Sequence, residues 1–190
     1  MNILLEKSVG IDYWIQGLQT KLFNRFIPIW GISEAKWNSR GRVYVNRVED
    51  GYLPQAYPGK GTDYTNQMLF DDNYSVSSFF TVFEPEKVVN GETHVTTQLY
   101  FFANLSEITP SGYTTTNPQR LDDAFVNDIH NYIRLNGTGN FTVKSIIKKV
   151  DKVLDGFSGE VKRKALLYDM QPRFCIRFDL TFLYNSYLNS

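Results

Sequence analysis

The closing segment of the chain, residues 173–185 (RFCIRFDLTFLYN), alternates between apolar and polar side chains. Because successive side chains of a β-strand point to opposite faces, this pattern predicts a strand with two different faces. The apolar face carries Phe174, Ile176, Phe178, Leu180, Phe182 and Tyr184. The polar face carries Arg173, Cys175, Arg177, Asp179 and Thr181. One face is therefore a stack of large hydrophobic side chains, and the other carries charges of both signs.

Apolar residues at helical spacing predict three helices. The stripe of the first helix is Ile11, Trp14, Ile15, Leu18, Leu22, Phe23 and Phe26, and we expect this helix to end at Pro28. The stripe of the second is Leu121, Phe125, Ile129, Tyr132 and Ile133, between an N-cap at Asn117-Pro118 and a stop at Asn136-Gly137. The third is predicted over residues 143–154, with Ile146, Ile147, Val150, Val153 and Leu154 on one face.

Other segments are rich in β-branched and aromatic residues, which favour strands. A short strand is predicted over residues 41–49, and an antiparallel hairpin over 75–84 and 93–105 with a turn signal at Asn90-Gly91. Residues 50–67 (DGYLPQAYPGKGTDYTNQ) show no periodicity, which predicts a long loop. Its two prolines favour extended backbone, so we expect an arm that reaches over an adjacent subunit or a neighbouring ring, with Tyr52, Tyr57 and Tyr64 suited to the contact.

The order of these elements predicts the fold class. Helices segregated from antiparallel strands indicate an α+β fold. We expect a single domain over residues 1–190, with a mainly antiparallel sheet packed by an N-terminal helix and one or two later helices, and with the long extended loop 50–67.

Charge and cysteine content narrow the functional classes. Lys plus Arg (20) equals Asp plus Glu (20), so no net charge attracts nucleic acid, and charge repulsion between copies is weak. The single cysteine, Cys175, excludes an intrachain disulfide and a zinc site built from cysteines. No apolar run reaches membrane-spanning length and the N-terminus lacks the core of a signal peptide. We therefore expect no membrane partner and synthesis in the cytoplasm.

No catalytic motif is visible. The two histidines, His94 and His130, have no carboxylate at helical or strand spacing that would orient a base, and Cys175 would need a histidine nearby to act as a nucleophile. Residues 58–64 (PGKGTDY) lack the order of a phosphate-binding loop. Asp122 and Asp123 fit the first turn of a helix better than a calcium loop. We expect no enzyme activity, no catalytic residue, no cofactor and no metal.

Basic residues recur near the third predicted helix: Lys144, Lys148, Lys149, Lys152, Lys162, Arg163 and Lys164. Interspersed acids favour a solvated helix face, and an acidic partner or a phosphate backbone is the alternative.

The succession of segments carries a resemblance that spans roughly residues 9–185. An amphipathic helix (IDYWIQGLQTKLFNRF) is followed by GRVYVNRVE and the Gly- and Pro-rich loop. Then come SSFFTVFEP, THVTTQLYFFANL, the helix RLDDAFVNDIHNYI and the terminal strand. This resembles the tail-terminator and neck (head–tail connector) ring proteins of tailed bacteriophages. The abundance of Asn, Tyr and Phe further resembles the neck proteins of crAss-like phages.

The resemblance implies a structural virion protein without catalytic residues. It would form a homo-oligomeric ring of six or twelve copies in the phage neck, between the portal of the head and the tail. Its partners would be itself and the neighbouring neck, portal-side and tail proteins, and genomic DNA would pass through the lumen without specific binding. The resemblance also implies that the apolar face of residues 173–185 packs beneath the helices, and that the polar face is open to solvent, the ring lumen or a neighbouring subunit. Charges of both signs suit subunit pairing, so the expected subunit interface comprises Tyr52, Tyr57, Tyr64, Arg173, Arg177 and Asp179.

One alternative is a module that binds single-stranded nucleic acid, with aromatic side chains of the sheet as stacking platforms. The zero net charge weighs against this alternative, as does a pattern of aromatic residues that points them into the core.

Overall fold

The computed structural model of the chain describes residues 2, 4, 7–56, 71–110, 120–136, 140–165 and 172–185. The helices of this part are α1 (Ile11–Trp30), α2 (Leu121–Asn136), α3 (Val150–Val153) and α4 (Gly159–Ala165). Its strands are β1 (Trp37–Arg42), β2 (Tyr44–Val48), β3 (Gly51–Gln55), β4 (Val76–Thr81), β5 (Lys87–Val89), β6 (Glu92–Asn104), β7 (Phe141–Ile147) and β8 (Arg173–Tyr184). The architecture is α+β, as the sequence predicts.

The main sheet has the strand order β1-β4-β6-β8-β7, and β5 also pairs with β6. Its centre is the antiparallel pair of β6 and β8, in register from Thr93 opposite Tyr184 to Asn104 opposite Arg173. The pairing of β1 with β4 is parallel. The predicted hairpin is confirmed, since β4 and β6 pair antiparallel. Its turn signal joins β5 to β6, with Asn90 and Gly91 both at positive φ (53° and 82°), as a tight hairpin turn requires.

Helix α1 follows its predicted stripe but extends past Pro28. It ends at Trp30, and Gly31, in the left-handed conformation, caps it by donating its N–H to the carbonyl of Ile27. Proline has no N–H to donate to the preceding turn of a helix. Pro28 is tolerated because it lies in the last turn of α1, with only two helical residues after it. Trp30 is buried and donates its Nε1–H to Asp128 of α2 over 2.8 Å. Burial of this residue explains why the helix continues for two residues beyond the proline.

Helix α2 confirms the second predicted stripe, and Asp122 and Asp123 lie in its first turn. The predicted N-cap at Asn117-Pro118 and the Gly137 of the predicted stop lie outside the described residues. Phe26 of α1 packs against Tyr132 of α2 at 5.6 Å between ring centroids. Because Trp30 bonds Asp128 near the other end of the contact, the two helices run antiparallel.

The predicted helix over residues 143–154 is wrong. Residues 141–147 form β7, which pairs antiparallel with β8, and only residues 150–153 are helical, as α3. The segment FTVKSII is rich in β-branched residues, which favour a half-buried strand over a helix. The free side of β8 supplies a partner for it, and this tertiary pairing outweighs the helical spacing of Ile146, Ile147 and Val150.

Both outer strands of the main sheet contain an irregularity. The register of β7 against β8 shifts between Val143 and Ser145, which leaves Lys144 as an extra residue. The register of β1 against β4 shifts between Ser39 and Arg42, and Gly41 in this interval has a φ of 64°. On the outer side of β1, Asn2 forms a single parallel bridge to Ser39.

The predicted loop 50–67 begins later than expected. Residues 51–55 form β3, which pairs antiparallel with β2, so the predicted strand over 41–49 is divided between β1 and β2. Tyr52 of β3 also bridges Phe157 and exchanges backbone hydrogen bonds with the segment between α3 and α4. These backbone partners explain why the first residues of the segment are ordered as a strand on their own domain. Residues 57–67 lie outside the described residues.

A separate apolar core lies on each face of the main sheet. The first core packs α1 and α2 against the sheet and includes Ile176, Phe178, Leu180, Phe182 and Tyr184 of β8, which confirms the predicted apolar face. The second core lies on the other face, where β2, β3, α3 and α4 cover Phe79, Tyr100, Phe102 and Cys175. The sheet therefore has a helical layer on one face and a mixed layer on the other.

Candidate functional site

The polar face of β8 is covered at its middle, contrary to the prediction that it is open. Arg177 is only 9% exposed. Its Nη1 donates to the carbonyl oxygens of Lys152 (3.1 Å) and Val153 (3.3 Å) at the end of α3. Its Nε lies 2.8 Å from Oδ1 of Asp179. Arg177 therefore anchors α3 on the sheet, because the last carbonyls of a helix attract a cation.

Asp179 completes this buried ion pair. Its Oδ2 accepts a 2.5 Å hydrogen bond from the hydroxyl of Ser145 on β7. A half-buried charge pair is stable only when its remaining lone pairs are satisfied, and Ser145 contributes to this. Oδ2 of Asp179 therefore accepts from both Ser145 and Arg177.

A cavity of about 370 Å³ opens beside Arg177, between the sheet and the β2–β3 hairpin. Tyr52 and Arg177, both predicted site residues, line it together with Phe83, Glu84, Gln98 and Asp155. The ring of Tyr52 meets that of Phe83 edge-on at 5.4 Å between centroids. The structure thus brings Tyr52, Arg177 and Asp179 into one region, although inside the monomer rather than on an open face.

Tyr100 is hydrogen-bonded to Gln98, which lines this cavity. Its hydroxyl donates to Oε1 of Gln98 over 2.6 Å, and Thr81 donates to the same oxygen over 3.2 Å. Burial raises the pKa of the Tyr100 hydroxyl far above its usual value, against a smaller opposing effect of Arg177. Tyr100 therefore stays protonated at neutral pH and acts as a hydrogen-bond donor in a fixed network.

Arg173 is separated from these residues, at the opposite end of β8. Its Nη2 lies 2.8 Å from Oδ1 of Asp72, at the edge of a polar cavity of about 240 Å³ that Asn104 and Glu107 also line. Asp72 is largely exposed, so this part of the polar face is accessible, as predicted. Tyr57 and Tyr64, the other two predicted interface residues, lie outside the described residues.

The residues tested for chemistry are distributed over the fold. His94 lies in β6, His130 lies in α2, and Cys175 lies on the second-core face of β8, fully buried. Within the described ranges, no group of three or more His, Cys, Asp or Glu side chains is arranged to hold a metal ion.

The basic residues near α3 and α4 are partly paired. Lys148 contacts Asp123, Lys149 lies 3.5 Å from Asp151, and Lys164 lies 2.7 Å from Glu160. These exposed pairs neutralise part of the positive charge, in agreement with a solvated surface.

One end of the molecule carries exposed apolar side chains, which sequence reasoning did not single out. They are Val9 (69% exposed), Tyr13 (49%), Tyr44 (51%), Val88 (73%) and Val89 (48%). We call these five residues the hairpin end, because the β5–β6 turn lies there. The only sequence signal was their position outside the apolar stripes, which does not distinguish a docking surface from scattered exposed residues.

Contacts within the fold place these elements at the same end of the sheet. The Oη of Tyr184, at the end of β8, donates to Glu86, which precedes β5, over 3.1 Å. A Cβ on Gly10, just before α1, would lie 3.7 Å from that Oη. Burial and the carboxylate of Glu86 raise the pKa of Tyr184 to about 12, so the hydroxyl stays a donor.

Comparison with family models, with curated proteins and with solved structures finds no match for this chain. In the part of the chain that the structure describes, no helix is long and apolar enough to cross a bilayer.

Proposed function

We propose that the chain is a structural subunit of the neck of a tailed bacteriophage, where copies of it form a ring between the head and the tail. The resemblance of its succession of segments to tail-terminator and neck proteins motivates the proposal. The hairpin end is the structural observation that carries it. Apart from Leu4, Val48 and Leu135, it contains every large apolar side chain that is exposed among the described residues.

The occupant that the hairpin end favours is a second copy of the chain. Its rim carries charges of both signs, with Arg42 bidentate on Asp12 at 2.8 Å and Lys87 within 3.9 Å of Glu84. A rim with charges of both signs suits a partner surface that also carries both signs. The chain has zero formal net charge, so copies do not repel one another at long range. A contact between two different patches of identical copies forms a ring when its rotation closes.

The nucleic-acid alternative receives less support from the geometry. The rings of Phe79, Tyr100 and Phe102 lie in the second core and are at most 2% exposed. The β2–β3 hairpin and α3 cover them. Bases cannot stack on rings that a protein layer already covers.

Self-association is tested by native mass measurement of the purified chain over a range of concentrations, with negative-stain imaging of the products. We expect closed rings of six or twelve copies. Val88→Asp places a charge on the hairpin end and should weaken association at least tenfold. Val48→Asp is the matched control, because Val48 is also exposed but lies at the β2–β3 turn, and it should assemble normally. Equal association of both variants would contradict the role of the hairpin end.

The place in the virion requires a separate experiment. Gold-labelled antibodies against the chain, applied to phage particles from a culture that expresses it, should mark the junction of head and tail. Labelling confined to another part of the particle, or no labelling of particles at all, would contradict the neck assignment.

A further inference from the structure

A second cavity, of about 270 Å³, lies between α1 and the irregular end of β1. It is distinct from the cavity beside Arg177. The β1 irregularity, with Gly41 in the left-handed conformation, brings Arg40 and Arg42 to the same wall. Gln16 of α1 forms part of the opposite wall.

Two hydrogen-bond donors of residues that line this cavity have no acceptor in the part of the chain that the structure describes. The Nε of Arg40 and the Nε2 of Gln16 are shielded from solvent, and no hydrogen-bond partner for either is found among the described residues. A shielded donor without an acceptor costs free energy, so such a group marks a place where an acceptor binds. Both residues line the same space, which indicates a single acceptor group between them.

The charge of the cavity wall identifies the kind of acceptor. The charged lining residues are Asp12, Arg40 and Arg42, and Asp12 is paired with Arg42 through two 2.8 Å hydrogen bonds. Among the described lining residues, one positive charge, that of Arg40, remains uncompensated. An anion is the complement of this charge, and a planar carboxylate fits the geometry of a guanidinium.

The remaining wall identifies what the carboxylate is attached to. Ile15, Val43, Val45 and Val82 give the cavity an apolar side. Its volume is at the lower limit of small-molecule sites, which excludes a nucleotide and suits a short aliphatic stem. We propose that this cavity binds an aliphatic carboxylate of about the size of a glutamate side chain, held by Arg40 and Gln16.

Such a group has two sources: a free small carboxylic acid, or an acidic side chain presented by another copy of this chain. The cavity borders the hairpin end, since Tyr44 belongs to both, so either source can reach it. The binding chemistry is the same in both cases and does not depend on ring formation.

The test is a titration of the ¹⁵N-labelled full-length chain with glutarate, followed by NMR of the side-chain amide of Gln16 and the Nε–H of Arg40. Glutaramide, which is neutral and of the same length, is the matched ligand. We expect saturable shifts of both signals with glutarate and at least tenfold weaker binding of glutaramide. Equal binding of the two ligands, or no shift with glutarate, would overturn the proposal.

Two variants localise the effect. Arg40→Met keeps the aliphatic stem and removes the donors, and should weaken glutarate binding at least tenfold. Arg47→Met removes an exposed arginine of β2 that does not line the cavity, and should bind glutarate like the parent chain. If Arg40→Met fails to fold, the comparison of glutarate with glutaramide on the parent chain decides alone. Undiminished glutarate binding by a folded Arg40→Met variant would overturn the assignment.

The two sources are separated by measuring self-association of the same variants. If Arg40→Met loses both glutarate binding and association, an acidic side chain of another copy fills the cavity. If it loses glutarate binding alone, the ligand is a free carboxylic acid. A parent chain that binds glutarate but never associates would contradict the ring and leave the carboxylate site supported, so the two proposals fail separately.

Discussion

The two faces of the main sheet are stabilised in different ways. On the helical face, the interior side chains contributed by β8 are apolar, from Ile176 to Tyr184. On the other face, the same strand contributes Arg177 and Asp179, and the covering layer supplies backbone carbonyls at the end of α3 to meet them. The difference teaches that alternation determines which residues share a face but not whether a polar face is exposed. A polar face can be buried when its cover brings acceptors.

The largest effect is expected on the helical face. Phe178 is fully buried and meets Phe101 edge-on at 6.3 Å between centroids. Phe178→Ala should lower the free energy of unfolding by about 3–5 kcal/mol, because it leaves a cavity in a close-packed core. Phe174→Ala, at the half-buried end of the same row, should cost clearly less. Chemical denaturation measures both losses. Equal losses would show that the cost of truncating a side chain on the helical face does not depend on its burial.

A smaller loss is expected from Arg177→Ala on the other face. The substitution leaves Asp179 and two carbonyls of α3 without their donor, so we expect a loss of about 3 kcal/mol in the free energy of unfolding. An open polar face, as the sequence analysis expected, would instead leave folding nearly unaffected. Arg173→Ala removes an exposed pair with Asp72 and should cost about 0–1 kcal/mol in the same denaturation experiment. Similar costs for the two arginines would refute the anchoring role of Arg177.

The attachment of the mixed layer can be tested at Gly51. This residue has a φ of 148°, and a Cβ on it would lie 2.9 Å from backbone atoms of Gly156, Phe157 and Ser158. Gly51→Ala should cost about 2 kcal/mol, because strain adds to a backbone collision that side-chain movement cannot relieve.

Gly17→Ala is the control for that substitution. Gly17 lies in α1 with no atom within 4 Å of its added Cβ, so the change should stabilise the chain by about 0.5–1 kcal/mol. Both variants are measured by chemical denaturation. A loss at Gly17 or a gain at Gly51 would contradict the packing described for the corresponding layer.

The smallest effect concerns the hydroxyl of Tyr100. Tyr100→Phe should cost about 1 kcal/mol at neutral pH through the lost bond to Gln98. The pKa of Tyr100 is raised in the folded chain, so the folded state holds the proton more tightly than the unfolded state. Stability from this residue is therefore complete below about pH 10, the usual tyrosine pKa, and is lost as pH rises above it.

The measurement is denaturation of the parent chain and of Tyr100→Phe from neutral pH to above pH 10. The parent should lose stability more steeply than the variant above pH 10. Parallel pH profiles would show that Tyr100 titrates with an ordinary pKa and that the second face is open to water.

Much of the helical face could be predicted from the sequence, because its signals are local. The stripes of α1 and α2 and the alternation of β8 each lie within one element and agree with one another. The helix prediction for residues 143–154 is wrong because the spacing of Ile146, Ile147 and Val150 is compatible both with a helix and with a strand followed by a turn. The unpaired side of β8 decided between them, and that partner is more than 25 residues away along the chain.

The mixed layer could not be predicted for a related reason. A strand with Arg177 and Asp179 on one face has the pattern of a solvent-exposed face, since charged residues are seldom buried. What buries them is the end of α3, a helix of four residues too short to show a periodicity. Likewise, Tyr52 was assigned to a loop because Gly51 and Pro54 suggest turns, whereas its strand is stabilised by pairing with β2 and by Phe157.

The irregular outer strands have a consequence for how copies can accumulate. A regular edge would accept a strand from any other copy and allow growth without limit into fibres. Here the extra Lys144 interrupts the ladder of β7, while the Gly41 irregularity and the bridge from Asn2 interrupt that of β1. Open-ended edge-to-edge pairing of sheets is thereby disfavoured at both outer strands. Copies that meet through side chains at another surface can then stop at a finite number, which is the difference between a particle component and an aggregate.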